Sequence, residues 1–151
     1  MNRLEKTIRP LLLALALSLA ASGAARAEAP VRVEVFKSPY CGCCQKWVEH
    51  MRKNGFDVIA KDVDDVPAVR KELGMPDRYG SCHTAKVGGY VIEGHVPAAD
   101  VRKLLRERPK AVGLSAPGMP QGSPGMETAT PQPYDTLLIH ANGGHEVFAK
   151  H

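Results

Sequence analysis

Aromatic residues are scarce in this 151-residue chain, with three Phe, four Tyr and one Trp. So small a set cannot form a stacking platform for nucleobases. Long apolar runs are missing too. The longest extends from Leu11 to about Ala21, roughly half of the ~20 residues needed to cross a bilayer. No permanent membrane span is expected in the mature chain. Nor is there a strong excess of one charge. Arg3, Lys6, Arg9 and Arg26, offset by Glu5, account for +3 of the net +4, which leaves +1 on the remainder. That balance offers nucleic acid no electrostatic attraction. No internal repeat is visible.

What the amino terminus does carry is a leader. Basic residues precede the apolar run, and small residues end at Ala25-Arg26-Ala27, the layout of a secretory signal peptide. Residues 1–27 are therefore expected to be removed on export. Residues 28–151, 124 in all, are expected to form a single domain, since that length can enclose one modest core. All four cysteines fall in this mature part, bound for a compartment where unprotected thiols oxidise.

The mature chain reads as an α/β domain. Val31, Val33 and Val35 alternate with Arg32 and Glu34, the period of a half-buried strand. Cys44, Trp47, Val48 and Met51 then recur at helical spacing, and Asn54-Gly55 ends that helix. Phe56 to Val63 reads as a second strand. Asp64 or Asp65 with Pro67 opens a short helix that Gly74 and Pro76 close. Thr84–Val87, Gly88-Gly89 and Tyr90–Gly94 form a hairpin, and Pro97 starts a helix with Val101, Leu104 and Leu105 on its apolar side. The order β-α-β-α-β-β-α is thioredoxin-like, with strand one feeding a cysteine-bearing helix. Residues 113–133, rich in Gly, Pro, Ser and Thr with two methionines, are expected to be one long irregular loop. Residues 134–151 look like a terminal β-hairpin that pins the loop to the domain.

The chemistry is concentrated in Cys41-Gly42-Cys43-Cys44. A Cys-x-x-Cys at a helix start favours thiolate, because unpaired amide N–H groups face it. A third cysteine inside the motif sets it apart from an ordinary redox pair: three thiolates in one helical turn repel one another unless a cation sits among them. Cys82, in Ser81-Cys82-His83-Thr84, falls where a thioredoxin-like fold normally packs a proline against the motif, so a fourth sulfur and the His83 imidazole are expected beside the other three. Soft thiolates suit copper(I) far better than hard cations. Two alternatives stay open: four cysteines can form two disulfides in three connectivities, and a site of four thiolates, or of three with one imidazole, suits zinc equally well.

Met119 and Met126 lie in the Gly-Pro loop without a helical stripe to explain them as core, and their thioethers could cap a soft metal or plug gaps under the loop. His95, at a strand-to-helix junction, serves either as a ligand or as an ordinary hydrogen-bonding group. His50, His140, His145 and His151 have no neighbouring ligands and are expected to face solvent. A different reading of the same motif is an enzyme, a thiol-disulfide oxidoreductase in which Cys41 attacks and Cys44 resolves. Cys43 argues against that reading, because it competes for the mixed disulfide.

Cys41-Gly42-Cys43-Cys44 with Trp47, Ser81-Cys82-His83-Thr84-Ala85, Gly88-Gly89-Tyr90, Glu93-Gly94-His95-Val96-Pro97, Gly113-Leu114, Pro117-Gly118-Met119-Pro120 and Gly122-Ser123-Pro124-Gly125-Met126-Glu127 follow one another in this order. Together they resemble the bacterial family labelled domain of unknown function 411, the CopG-like periplasmic proteins associated with copper resistance. The resemblance covers nearly the whole mature chain. It implies a periplasmic, thioredoxin-like copper-binding protein with a redox role towards copper, working alongside other periplasmic copper-handling proteins. The ligands it implies are Cys41, Cys43, Cys44 and Cys82, with His83 added on weaker grounds.

Overall fold

Val33 and Val35 are fully buried while their neighbours on the strand are not, as the alternation in β1 (Arg32–Lys37) requires. The computed structural model describes residues 29–151; the expected signal peptide, residues 1–27, lies outside the described residues. Helix α1 (Gly42–Lys53) begins at Cys41 and turns Cys44, Trp47, Val48 and Met51 into the interior, each 0% exposed. Strand β2 (Asp57–Asp62) follows. Helix α2 (Val66–Glu72) is capped by Asp65, whose Oδ1 accepts the Ala68 N–H at 2.9 Å, satisfying one of the free amides of its first turn. A 3₁₀ turn (Asp77–Tyr79) leads into the hairpin of β3 (His83–Val87) and β4 (Tyr90–Gly94), and then α3 (Ala98–Glu107). Thus the β-α-β-α-β-β-α order holds, and the fold is thioredoxin-like.

The expected irregularity of residues 113–133 fails at its start. Gly113–Ala116 is a strand, β5, with all four residues buried between β4 and β6. A central strand covered on both faces shows no polar alternation, so the four residues Gly113-Leu114-Ser115-Ala116 carry no strand signal. Its glycine has a steric reason: a β-carbon on Gly113 would sit 1.7 Å from the Val91 carbonyl oxygen. The terminal hairpin, β6 (Asp135–Ile139) and β7 (His145–Lys150), is therefore no appendage but extends a seven-stranded sheet of order β2-β1-β3-β4-β5-β6-β7.

Adjacent sheet residues feed different cores. Ile92 and Leu138 join Trp47, Met51, Val101 and Leu104, whereas Val91 and Ile139 join Met75 and Tyr79. The period of two along a strand makes that split unavoidable. Among the described residues no helix is long and apolar enough to cross a membrane.

Of the histidines expected to face solvent, His145 and His151 are exposed and His50 and His140 half-buried, and all four have polar partners. His50 is half-buried, and its Nε2 accepts the Ala98 N–H at 3.1 Å at the open start of α3. His145 Nδ1 meets the Tyr79 hydroxyl at 3.0 Å, His151 Nε2 meets Asp100 at 2.9 Å, and His140 lies 3.9 Å from Glu146. Apart from His140–Glu146, which spans one hairpin turn, these contacts cross large sequence separations, so nothing local announces them. The accepting role of His50 requires an unprotonated Nε2, and burial, the largest influence, depresses its pKa. A depressed histidine contributes stability fully above its unfolded value of about 6.5 and loses it as pH falls towards the folded value. Urea unfolding is expected to show a larger loss of stability from pH 7.5 to 5.5 in the native chain than in His50→Gln, whose amide oxygen accepts the same N–H without titrating. Equal losses would refute that assignment.

Candidate functional site

Strand register brings the cysteines together. In the antiparallel β1–β3 pair, Lys37 lies opposite His83, so the loop leaving β1 and the loop entering β3 meet at one end of the sheet. The first leads to Cys41 at the start of α1, and the second carries Cys82. All four sulfurs converge, the ligating atoms of Cys41, Cys43, Cys44 and Cys82 lying within 4.8 Å of one another. Cys41 and Cys44 are joined as a disulfide with a Cα–Cα distance of 5.3 Å, while Cys43 and Cys82 are free thiols. The pairing is neither four free thiols nor two disulfides. It closes the Cys-x-x-Cys and leaves the additional cysteine facing Cys82. The Cys43 sulfur is 3.4 Å from that of Cys41 and 3.9 Å from that of Cys82; Cys44 Sγ lies 3.5 Å from the Cys82 carbonyl oxygen.

A second set of ligating atoms shares Cys82. Its sulfur is 3.0 Å from His95 Nε2 and 3.6 Å from His83 Nδ1, and the three groups lie within 4.8 Å of one another. The sequence ranks His83 above His95 as a ligand, and in the structure His95 is the nearer of the two to the Cys82 sulfur. His95 Nδ1 is 2.8 Å from the Pro124 carbonyl. A carbonyl can only accept, so the proton sits on Nδ1 and the Nε2 lone pair faces the Cys82 sulfur. The Cys82 S–H donates to it. His83 is fully buried between the rings of Trp47 and His95, at centroid distances of 4.6 and 5.0 Å, and its Nε2 has no hydrogen-bond partner.

Electrostatics keep Cys82, His83 and His95 neutral. Burial, reinforced by the adjacent Cys43, pushes the Cys82 thiol up to about 12. Burial, then the neighbouring His95, pulls His83 down to about 3, and burial is also the main reason His95 is lowered. Each group thus avoids a charge that its surroundings cannot solvate. A soft cation reverses that preference, because it favours thiolate and needs the neutral imidazole lone pair.

The Met-bearing loop covers the cluster with backbone. Gly125 packs so closely that a β-carbon there would lie 2.7 Å from the Cys43 carbonyl oxygen and 3.0 Å from the Trp47 nitrogen. Turn bonds hold the segment, Met126 N–H to the Ser123 carbonyl and Gly122 N–H to the Met126 carbonyl, both at 2.8 Å. Met119 is 53% exposed and Met126 half-buried. Nearer its start the loop is tied to the Cys82 segment, since the Ser81 hydroxyl donates to the Gly118 carbonyl.

Trp47 secures the floor, donating its indole N–H to the Val96 carbonyl at 2.8 Å next to His95. Trp47→Phe leaves that buried carbonyl unpaired. It is expected to cost about 1–3 kcal/mol, measurable by chemical denaturation; a change under about 0.5 kcal/mol would show that the bond contributes little.

Comparison with known proteins adds independent information. The family described as protein of unknown function DUF411 matches residues 79–126, and the glutaredoxin family matches residues 33–75. Curated proteins yield no match. Two solved structures, described as copper resistance protein copG in forms 2 and 1, superpose with TM-scores of 0.77 and 0.76. Each is 43% identical and covers 81% of this chain and 98% of its own. Identity at that level over almost the full length of both structures reflects common descent rather than a shared scaffold alone, and the chain belongs to the CopG family of copper resistance proteins.

Proposed function

We propose that this chain is a periplasmic protein of copper homeostasis that sequesters or passes on copper(I). The observation that carries the reading is the convergence of four cysteine sulfurs within 4.8 Å, and copper resistance as the stated role of its relatives supports it. The donor set fits a soft ion. Thiolates about 2.3 Å from a tetrahedral metal lie about 3.8 Å apart, and the free Cys43 and Cys82 sulfurs are 3.9 Å apart. Cys43 and Cys82 bind first. Reduction of the Cys41–Cys44 disulfide adds two thiolates, and His95 precedes His83 as the nitrogen ligand because its lone pair faces the cluster. Met119 and Met126 are accessory ligands in this reading. Export through the leader places the protein in the periplasm, where other copper-handling proteins are its partners.

Anaerobic titration of the reduced mature protein with copper(I), against a chelator of known affinity, tests the proposal. Failure to compete would remove it. Element analysis of protein purified without added metal separates copper from zinc, which the same ligands accept.

The Cys41–Cys44 disulfide favours a second reading, in which redox turnover accompanies binding. Two copper(II) ions would each take one electron from the reduced pair, which closes to the disulfide and releases two protons. In a pure thiol-disulfide oxidoreductase, metal-free protein turns over disulfide substrates with Cys41 attacking. Turnover assays with and without copper distinguish the two.

A further inference from the structure

The sulfur cluster leaves Arg70 and Glu93 unused, although both are buried beside it. Glu93 has no exposed side-chain surface and Arg70 only 7%. Arg70 Nε donates to Glu93 Oε1 at 2.8 Å, and Arg70 Nη2 donates to the Ser81 carbonyl at 2.7 Å. Glu93 Oε1 also accepts the Ser81 N–H at 2.7 Å, and its other oxygen accepts the Thr84 hydroxyl at 2.5 Å. The pair therefore holds both backbone groups of Ser81 and the side chain of Thr84. Between those anchors lie Cys82 and His83. The β1–β3 register begins at His83, so Cys82 stands just outside the ladder and its upstream neighbour is held by this pair instead. Gly94 lets the segments close, because a β-carbon there would come within 2.5 Å of the Ser81 side chain.

A buried ion pair is a poor way to add stability, since desolvation offsets much of its attraction. What this one provides is a fixed position for the residues it bonds. We propose that Arg70 and Glu93 are positioning residues, a clamp that holds Cys82 at the distance from Cys43 needed for the two sulfurs to share one ion. The ion belongs to the copper(I) reading above; the positioning does not depend on it.

Two measurements separate these claims. In the metal-free protein with Cys41–Cys44 oxidised, Cys43 and Cys82 are the free thiols, so a short bifunctional thiol reagent such as dibromobimane reports their separation by mass spectrometry. In Glu93→Gln and Arg70→Lys, the bridging rate is expected to fall at least about fivefold, while single labelling of Cys43 continues. Copper(I) affinity of the reduced variants is expected to fall about 10- to 100-fold, as for groups that orient metal ligands. Thr84→Val, which removes one bond of the network, serves if Glu93→Gln does not fold. Asp100→Asn, in the partly buried Asp100–His151 pair, is expected to lower Tm without altering either readout. Folded variants with an unchanged bridging rate overturn the proposal. So does slower bridging with unchanged copper(I) affinity, because the clamp would then be irrelevant to the site. A native protein that fails to take up copper(I), with variants that still bridge slowly, would overturn the functional reading and leave the clamp standing.

Discussion

Replacing Cys82 by serine is expected to lower the copper(I) affinity of the reduced mature protein by on the order of 100-fold or more. Loss of a group that merely orients a ligand costs about 10- to 100-fold, and a lost thiolate ligand should reach at least the top of that range. The alcohol is a hard donor that stays protonated at neutral pH and so cannot replace a soft thiolate. Cys82 is also the one group common to both sets of ligating atoms, the four sulfurs and the Cys82, His83, His95 trio. Its loss splits one set and removes the anchor of the other. His95→Gln, which retains packing but loses the lone pair at Nε2, should fall within the 10- to 100-fold range. Competition titration checks both, and an unchanged affinity in Cys82→Ser would show that Cys82 is packed beside the site rather than part of it.

A large loss of stability is expected from Gly125→Ala. Gly125 has φ +87°, a left-handed conformation, and its Cα faces the Cys43 carbonyl and the Trp47 amide with no room for a methyl group. The left-handed backbone costs about 1–2 kcal/mol for a residue with a β-carbon, and forcing atoms into a filled space adds about 1–3 kcal/mol. Together they should amount to roughly 2–5 kcal/mol, or a Tm lowered by roughly 8–20 °C for a domain of this size. Gly118→Ala provides the comparison. It has φ +71° but nothing within 4 Å of the added carbon, so it should show the backbone cost alone, about 1–2 kcal/mol. Calorimetry of the two variants isolates the contact. Equal destabilisation would mean that the loop does not press on the cluster. The larger loss should be accompanied by weaker copper(I) binding, because lifting the loop takes the Pro124 carbonyl from His95.

Much of this was legible in the residues. The Val33/Val35 alternation, the Cys44-Trp47-Val48-Met51 face and the Gly88-Gly89 turn are local periodic signals, and all three elements formed where the pattern placed them. Strand β5 escaped notice because burial on both faces erases alternation, and Gly113-Leu114-Ser115-Ala116 is too short to show anything else. The site divided along the same line. Three cysteines within four residues are visible at once, but the orientation of the His95 imidazole depends on a carbonyl 29 residues away, and the Arg70–Glu93 pair is a contact across 23.

By itself the sequence determined the elements of the β-α-β-α-β-β-α core and that a thiol cluster opens the first helix, because hydrophobic period, turn residues and Cys spacing act between near neighbours. Tertiary structure alone decided which sulfurs pair, which imidazole nitrogen carries the proton, and what holds Cys82 in place. Those outcomes are set by distances between segments that only strand register and the covering loop bring within reach.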